Sequence, residues 1–118
     1  MGRRLVGAAG ALLLIGTMAG CGGDEEAAGS DEPVVVEITF ADGGVTPVGD
    51  RVEVQVGEPV DLEVTADEAG ELHVHSDPEQ ELAFDAGTET FEIEIPRPGR
   101  VDIESHDLDQ VIVTLIAQ

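Results

Sequence analysis

The sequence predicts an all-β fold, a small antiparallel Greek-key β-sandwich of seven or eight strands. Three observations point there. From residue 33 onward apolar and polar residues alternate with a period of two, as in strands with one buried and one wet face. The alternating runs are short and evenly spaced, with Gly- and Pro-bearing turn signals between them. No stretch carries the 3.6-residue apolar stripe of an amphipathic helix.

The elements follow in order. Residues 34–40 (VVVEITF) form a β-branched run that ends at Asp42-Gly43-Gly44. Branched side chains pack well on a pleated surface, which favours a strand here. Residues 51–56 (RVEVQV) alternate cleanly and close at Gly57-Glu58-Pro59, and residues 60–66 (VDLEVTA) alternate again up to Ala69-Gly70. Residues 71–75 (ELHVH) lead to Asp77-Pro78, and residues 81–84 (ELAF) make a short strand before Ala86-Gly87. Residues 90–95 (TFEIEI), the Pro98-Gly99 turn, residues 101–105 (VDIES) and residues 111–116 (VIVTLI) complete the set. The apolar rows would fill the layer between two sheets while Glu, Asp and Thr face water.

The segments ahead of this domain read differently. Residues 1–20 form a lipoprotein signal peptide: Arg3 and Arg4 give a positive start, and an uncharged apolar stretch centred on residues 11–15 follows. The stretch is shorter than the about 20 apolar residues that a membrane span needs. Met18-Ala19-Gly20-Cys21 resembles the bacterial lipobox, with methionine where leucine is usual. That resemblance implies a diacylglycerol on Cys21 and anchoring on the extracytoplasmic face of the cell membrane, since more than one acyl chain gives stable attachment. No full twin-arginine motif surrounds Arg3 and Arg4, so general secretion is the expected route. Residues 21–32 combine this cysteine with an acidic flexible tether that has nothing large to bury. As a coil, its ends would lie about 18 Å apart. Residues 33–118 make the single folded domain.

Composition removes several function classes. The formal net charge is −21, no lysine occurs, and two of the five arginines lie in the leader. Nucleic-acid binding is excluded as an expectation, because phosphate contacts need clustered Lys and Arg. With one cysteine there is no disulfide, and once its sulfur carries lipid there is no free thiol. No glycine-rich phosphate loop is present. The segment 76–81 (SDPEQE) lacks the glycine-centred ligand spacing of an EF-hand loop. Ser105-His106-Asp107 holds the residue types of a nucleophilic triad, but sequence neighbours point apart, whereas a triad is assembled in space. The chain is therefore expected not to be an enzyme.

Chemistry concentrates in three histidines. His73 and His75 stand two apart on one expected strand, so both imidazoles leave the same face, opposite Leu72 and Val74. His106 follows the strand at residues 101–105, at the start of a turn that can fold over the end of the His73 strand. Three imidazoles suit copper or zinc, and Glu104, Asp107 or Asp77 could add a carboxylate. The alternative reading is that the imidazoles merely hydrogen-bond loop backbone and nearby acids. The domain would then be a metal-free interaction module presenting loops to an envelope protein partner.

The order of these segments is similar to that of cupredoxins. The residues that carry the resemblance are VEVQVGEPVDLEVTA (52–66), ELHVH (71–75) and FEIEIPRPGRVDIESHDLDQVIVTLIAQ (91–118). It covers nearly the whole domain. The resemblance implies the sandwich fold and carries His73 or His75, together with His106, over as metal-ligand positions. It also exposes departures. Ser105 stands where the family has its copper cysteine, His106 follows at once, and both methionines, Met1 and Met18, lie in the leader. A blue-copper centre needs a thiolate, so electron transfer through such a centre is not expected. The expectation is a membrane-anchored, cupredoxin-like lipoprotein with a histidine site for copper or zinc.

Overall fold

The computed structural model describes residues 32–118. The signal peptide at residues 1–20, the lipidation of Cys21 and nearly all of the tether, as expected from the sequence, fall on residues outside those described. The remainder is built from nine strands: β1 Val34–Ala41, β2 Gly44–Thr46, β3 Asp50–Val54, β4 Pro59–Ala66, β5 Gly70–Val74, β6 Gln80–Phe84, β7 Gly87–Glu94, β8 Gly99–Ser105 and β9 Gln110–Ala117. Among the described residues no helix is long and apolar enough to cross a membrane.

The strands form two sheets, in the orders β2-β1-β4-β7 and β3-β9-β8-β5-β6. Alternation in the sequence becomes alternation in burial. In β4 Val60, Leu62 and Val64 are buried while Asp61 and Glu63 lie on the other face. Ile38 and Leu62 of the first sheet, with Leu72, Val74, Ile103 and Leu115 of the second, belong to one continuous core and have no exposed surface. Fully burying such a side chain is worth about 1.5–3 kcal/mol relative to leaving it in water. With a single cysteine and no disulfide, this layer carries the fold.

The predicted all-β sandwich is what the structure shows, with two corrections. The short strand β2 is additional, because the Asp42-Gly43-Gly44 turn is tight enough to start a hairpin: Asp42 and Gly43 take φ of 54° and 75°, and Gly44 pairs with Ala41. The sheets are also mixed rather than wholly antiparallel. β1 runs parallel to β4, and β3 runs parallel to β9. The physical reason is the crossing of the chain. After β2 it passes to the second sheet to lay down β3, and it returns in β4 running in the direction of β1. Period-two patterning fixes which face is buried, not which strand lies beside which.

Two local features shape the end of the sandwich where the histidines lie. The β8–β9 ladder shifts register between Ile103 and Glu104, so Ile103 pairs with Val113 and Glu104 with Val111. The extra residue, Ile112, is buried together with Val113, and such a bulge locally bends and twists the strand. At the start of β5, Gly70 lies directly opposite Phe84 of β6. The Phe84 ring covers the glycine, is 4% exposed, and packs 4.9 Å from the Phe40 ring.

A Cβ on Gly70 would fall 2.7 Å from Cζ of Phe84, closer than side chains approach. Gly70→Ala should therefore lower stability by about 1–3 kcal/mol, as overpacking does, in urea unfolding curves. Adding Phe84→Leu should return part of that loss. A Gly70→Ala protein as stable as the parent would show that the ring does not need this glycine.

Candidate metal site

His73 lies on β5 between Leu72 and Val74, both fully buried, so its imidazole stands on the outer face of the five-stranded sheet. Its strand neighbours there are Glu81 of β6 and Glu104 of β8, in register on either side. His75 comes one residue past β5, but its backbone N–H still donates to the Asp102 carbonyl at 2.9 Å, which extends the pairing and keeps the outward phase. His106 begins the β8–β9 turn. That turn is held by the Leu108 N–H on Ser105 Oγ at 3.3 Å and the Asp109 N–H on the His106 carbonyl at 3.2 Å, with Asp109 at φ 51°.

These placements bring the three rings together. Each histidine offers a ring nitrogen, and the three nitrogens lie within 4.8 Å of one another. His73 and His75 stack at a centroid distance of 4.3 Å with 10° between planes, and His106 leans on His73 at 4.4 Å and 49°. Donors around a tetrahedral ion with bonds of about 2.0–2.1 Å lie about 3.3 Å apart. The cluster is thus within side-chain adjustment of a coordinating geometry.

Carboxylates surround the rings. His73 Nε2 lies 3.1 Å from Glu79 Oε2, and His75 Nδ1 lies 3.4 Å from Glu79 Oε1. Glu104 Oε2 lies 2.9 Å from His75 Nε2 and 3.5 Å from His106 Nε2. The His75–Glu104 contact is close but poorly aligned: His75 Nε2 is buried and makes no hydrogen bond, and His73 Nδ1 shares that state. We read the 2.9 Å approach as charge attraction without a directed bond. The Glu104 carboxylate, followed by that of Glu79, lifts the His75 pKa above its ordinary 6.5 against the opposing effect of burial. Glu79 is in turn held below the usual carboxylate range by its bonds to His73 and then His75.

Of the carboxylates expected from the sequence, Glu104 joins the cluster. Asp77 turns away to Arg97 at 3.3 Å. Asp107 lines a separate cavity of about 110 Å³ together with Phe40, Phe84 and Leu108. Glu79 was missed by sequence reasoning. Its one signal is the shortness of the β5–β6 connection, which must bring some residue of 75–79 back over the His73 face.

A blue-copper donor set does not fit these residues. Ser105, at the position of the family's cysteine, is 2% exposed, and its hydroxyl is engaged by the turn rather than aimed at the imidazoles. Its neighbours Glu104 and His106 approach each other outside the core. Cysteine and methionine are absent from residues 32–118. The donors present are imidazole and carboxylate, which suit Zn²⁺ or Cu²⁺.

No family model matches the chain, and no curated protein does. Solved structures do. A reduced Cu(I) form of an amicyanin mutant aligns at 12% identity over 75% of this chain and 84% of its own, with a TM-score of 0.53. A multi-copper oxidase from Pediococcus acidilactici gives 12% identity and a TM-score of 0.53, over 75% of this chain and 27% of its own. The copper nitrite reductase from Nitrosomonas europaea gives 14% and 0.50, over 74% of this chain and 42% of its own. At such identities the likeness shows the fold alone, and that fold is cupredoxin-like.

The raised His75 pKa fixes a sign. The folded state favours the imidazolium, so its stabilisation is full below the unfolded value of about 6.5 and fades as pH rises through the folded value. In an NMR titration of the metal-free protein His75 should titrate above 6.5, and Glu104→Gln should move it down. A His75 midpoint at or below 6.5 would remove Glu104 as its partner.

Proposed function

We propose that this cupredoxin-like protein is a membrane-anchored, extracytoplasmic lipoprotein that binds Cu(II) or Zn(II) through His73, His75 and His106. In this reading it handles metal outside the cell, and it is neither a blue-copper electron carrier nor an enzyme. The observation that carries the reading is the convergence of all three histidines of the chain on one sheet face, with nitrogens within 4.8 Å. The buried Nδ1 of His73, without a hydrogen-bond partner, adds to it. Unpaired buried polar atoms are rare in folded proteins and are explained where an ion takes them up. Anchoring rests on the lipobox-like Met18-Ala19-Gly20-Cys21 alone.

A second reading has its own support. Glu79 and Glu104 already approach all three imidazoles at 2.9–3.5 Å, as they would in a metal-free module that docks on an envelope protein. A partner retained from membrane extracts in the presence of chelator, and retained equally by a His73→Ala variant, would favour that module.

Equilibrium dialysis of the protein against Cu(II) or Zn(II) should show uptake of about one equivalent near neutral pH. His73→Ala and His106→Ala should each weaken it more than about a hundredfold, since changes in outer-shell partners alone cost about 10–100-fold. Protons compete for the same nitrogens, so uptake should strengthen as pH rises through and above 6.5. Copper loading should give a weak visible band with no intense thiolate absorption. Absence of stoichiometric uptake would refute the metal reading. For the anchor, a labelled fatty acid should enter the protein in a bacterial host and fail to enter Cys21→Ser.

A further inference from the structure

Glu79 touches two of the three rings and is itself exposed, at 61%. A surface carboxylate of this kind is usually a passing partner, yet its backbone is held from several directions. Ser76 Oγ donates to the Pro78 carbonyl at 2.7 Å, and the Gln80 amide donates to Ser76 Oγ at 3.3 Å. Asp77 is tied to Arg97 at 3.3 Å. The residue after Glu79 already belongs to β6, where Gln80 pairs with Val74. The carboxylate is thus delivered over His73 by a short connection anchored at both ends.

His73 has little freedom to answer in any other way. Its side chain is 12% exposed, and the ladders on both sides fix its backbone. A carboxylate only accepts hydrogen bonds, so the ring atom facing it must carry the proton. That atom is Nε2, at 3.1 Å from Glu79 Oε2. The other nitrogen, Nδ1, is buried and makes no hydrogen bond. In the neutral ring it holds a bare lone pair.

From this pairing we propose that Glu79 is a positioning residue which fixes His73 as its Nε2–H tautomer and so leaves Nδ1 as the ring atom presented to an ion. It rests on the proposed metal site for its purpose, while its geometry stands in the metal-free protein. Outer-shell carboxylates on metal-binding histidines act in this way, setting tautomer and ring orientation.

Long-range ¹H–¹⁵N spectra of the full chain test the assignment, with Zn²⁺ as the probe ion. In the metal-free protein above the histidine titrations, His73 should appear as the Nε2–H tautomer. Glu79→Ala should turn it into a mixture, and Glu79→Gln, whose amide oxygen still accepts, should preserve it. On Zn²⁺ addition the Nδ1 resonance of His73 should move. Affinity should fall about 10–100-fold in Glu79→Ala and by less in Glu79→Gln. An unchanged tautomer in Glu79→Ala, or ligation through Nε2, would overturn the proposal. If the parent protein takes up no metal, the functional reading falls alone, because the metal-free spectra still decide the role of Glu79.

Discussion

The strand's alternation of faces is the constraint on which the site depends. Leu72 and Val74 are committed to the core without any exposed surface. In a strand, residues two apart share a face and neighbours do not. Burying the leucine and valine therefore sends His73 and His75 outward together. A one-residue slip of β5 would exchange the two sets, burying two imidazoles and exposing two aliphatic side chains. The core thus enforces the pairing of the histidines without touching them. The same alternation completes the arrangement at the end of β8, where burial of Ser105 leaves Glu104 and His106 outside the core, 3.5 Å from each other.

Around that scaffold the chemistry is a competition for ring nitrogens. Carboxylates favour the protonated imidazole and draw it toward themselves, as the raised His75 pKa records. A metal ion needs the deprotonated ring. The same acids can serve both states, since a carboxylate that holds an imidazolium also orients a neutral ring and attracts a cation. The strongly acidic surface extends this at longer range by concentrating cations near the sandwich. Sulfur plays no part in the described domain, which separates it from the redox chemistry most associated with this fold.

Much of this was written in the sequence in a readable form. The runs at 60–66 and 101–105 alternate so cleanly that their buried faces follow directly, and β4 and β8 carry that pattern. The common face of His73 and His75 follows from the same period. What could not be read depends on contacts between distant segments. The parallel neighbours of β1 and β9 arise from a chain crossing that leaves no periodic trace. The partner of Asp77 turned out to be Arg97, twenty residues away, rather than a histidine nearby. Glu79 escaped because nothing marks one acid among several until the turn geometry of 75–79 selects it.

Ser105 and His106 stand side by side in sequence yet belong to different worlds, one sealed under the turn and the other wet. The imidazole cluster consequently takes its position from the fold while its rings pack on one another, outside the apolar core. Such a site is separable from its scaffold. In the proposed metal site, donors on this face could be exchanged over evolutionary time, or by an engineer, without repacking the interior, so that any ion preference would drift while the sandwich beneath it is inherited unchanged.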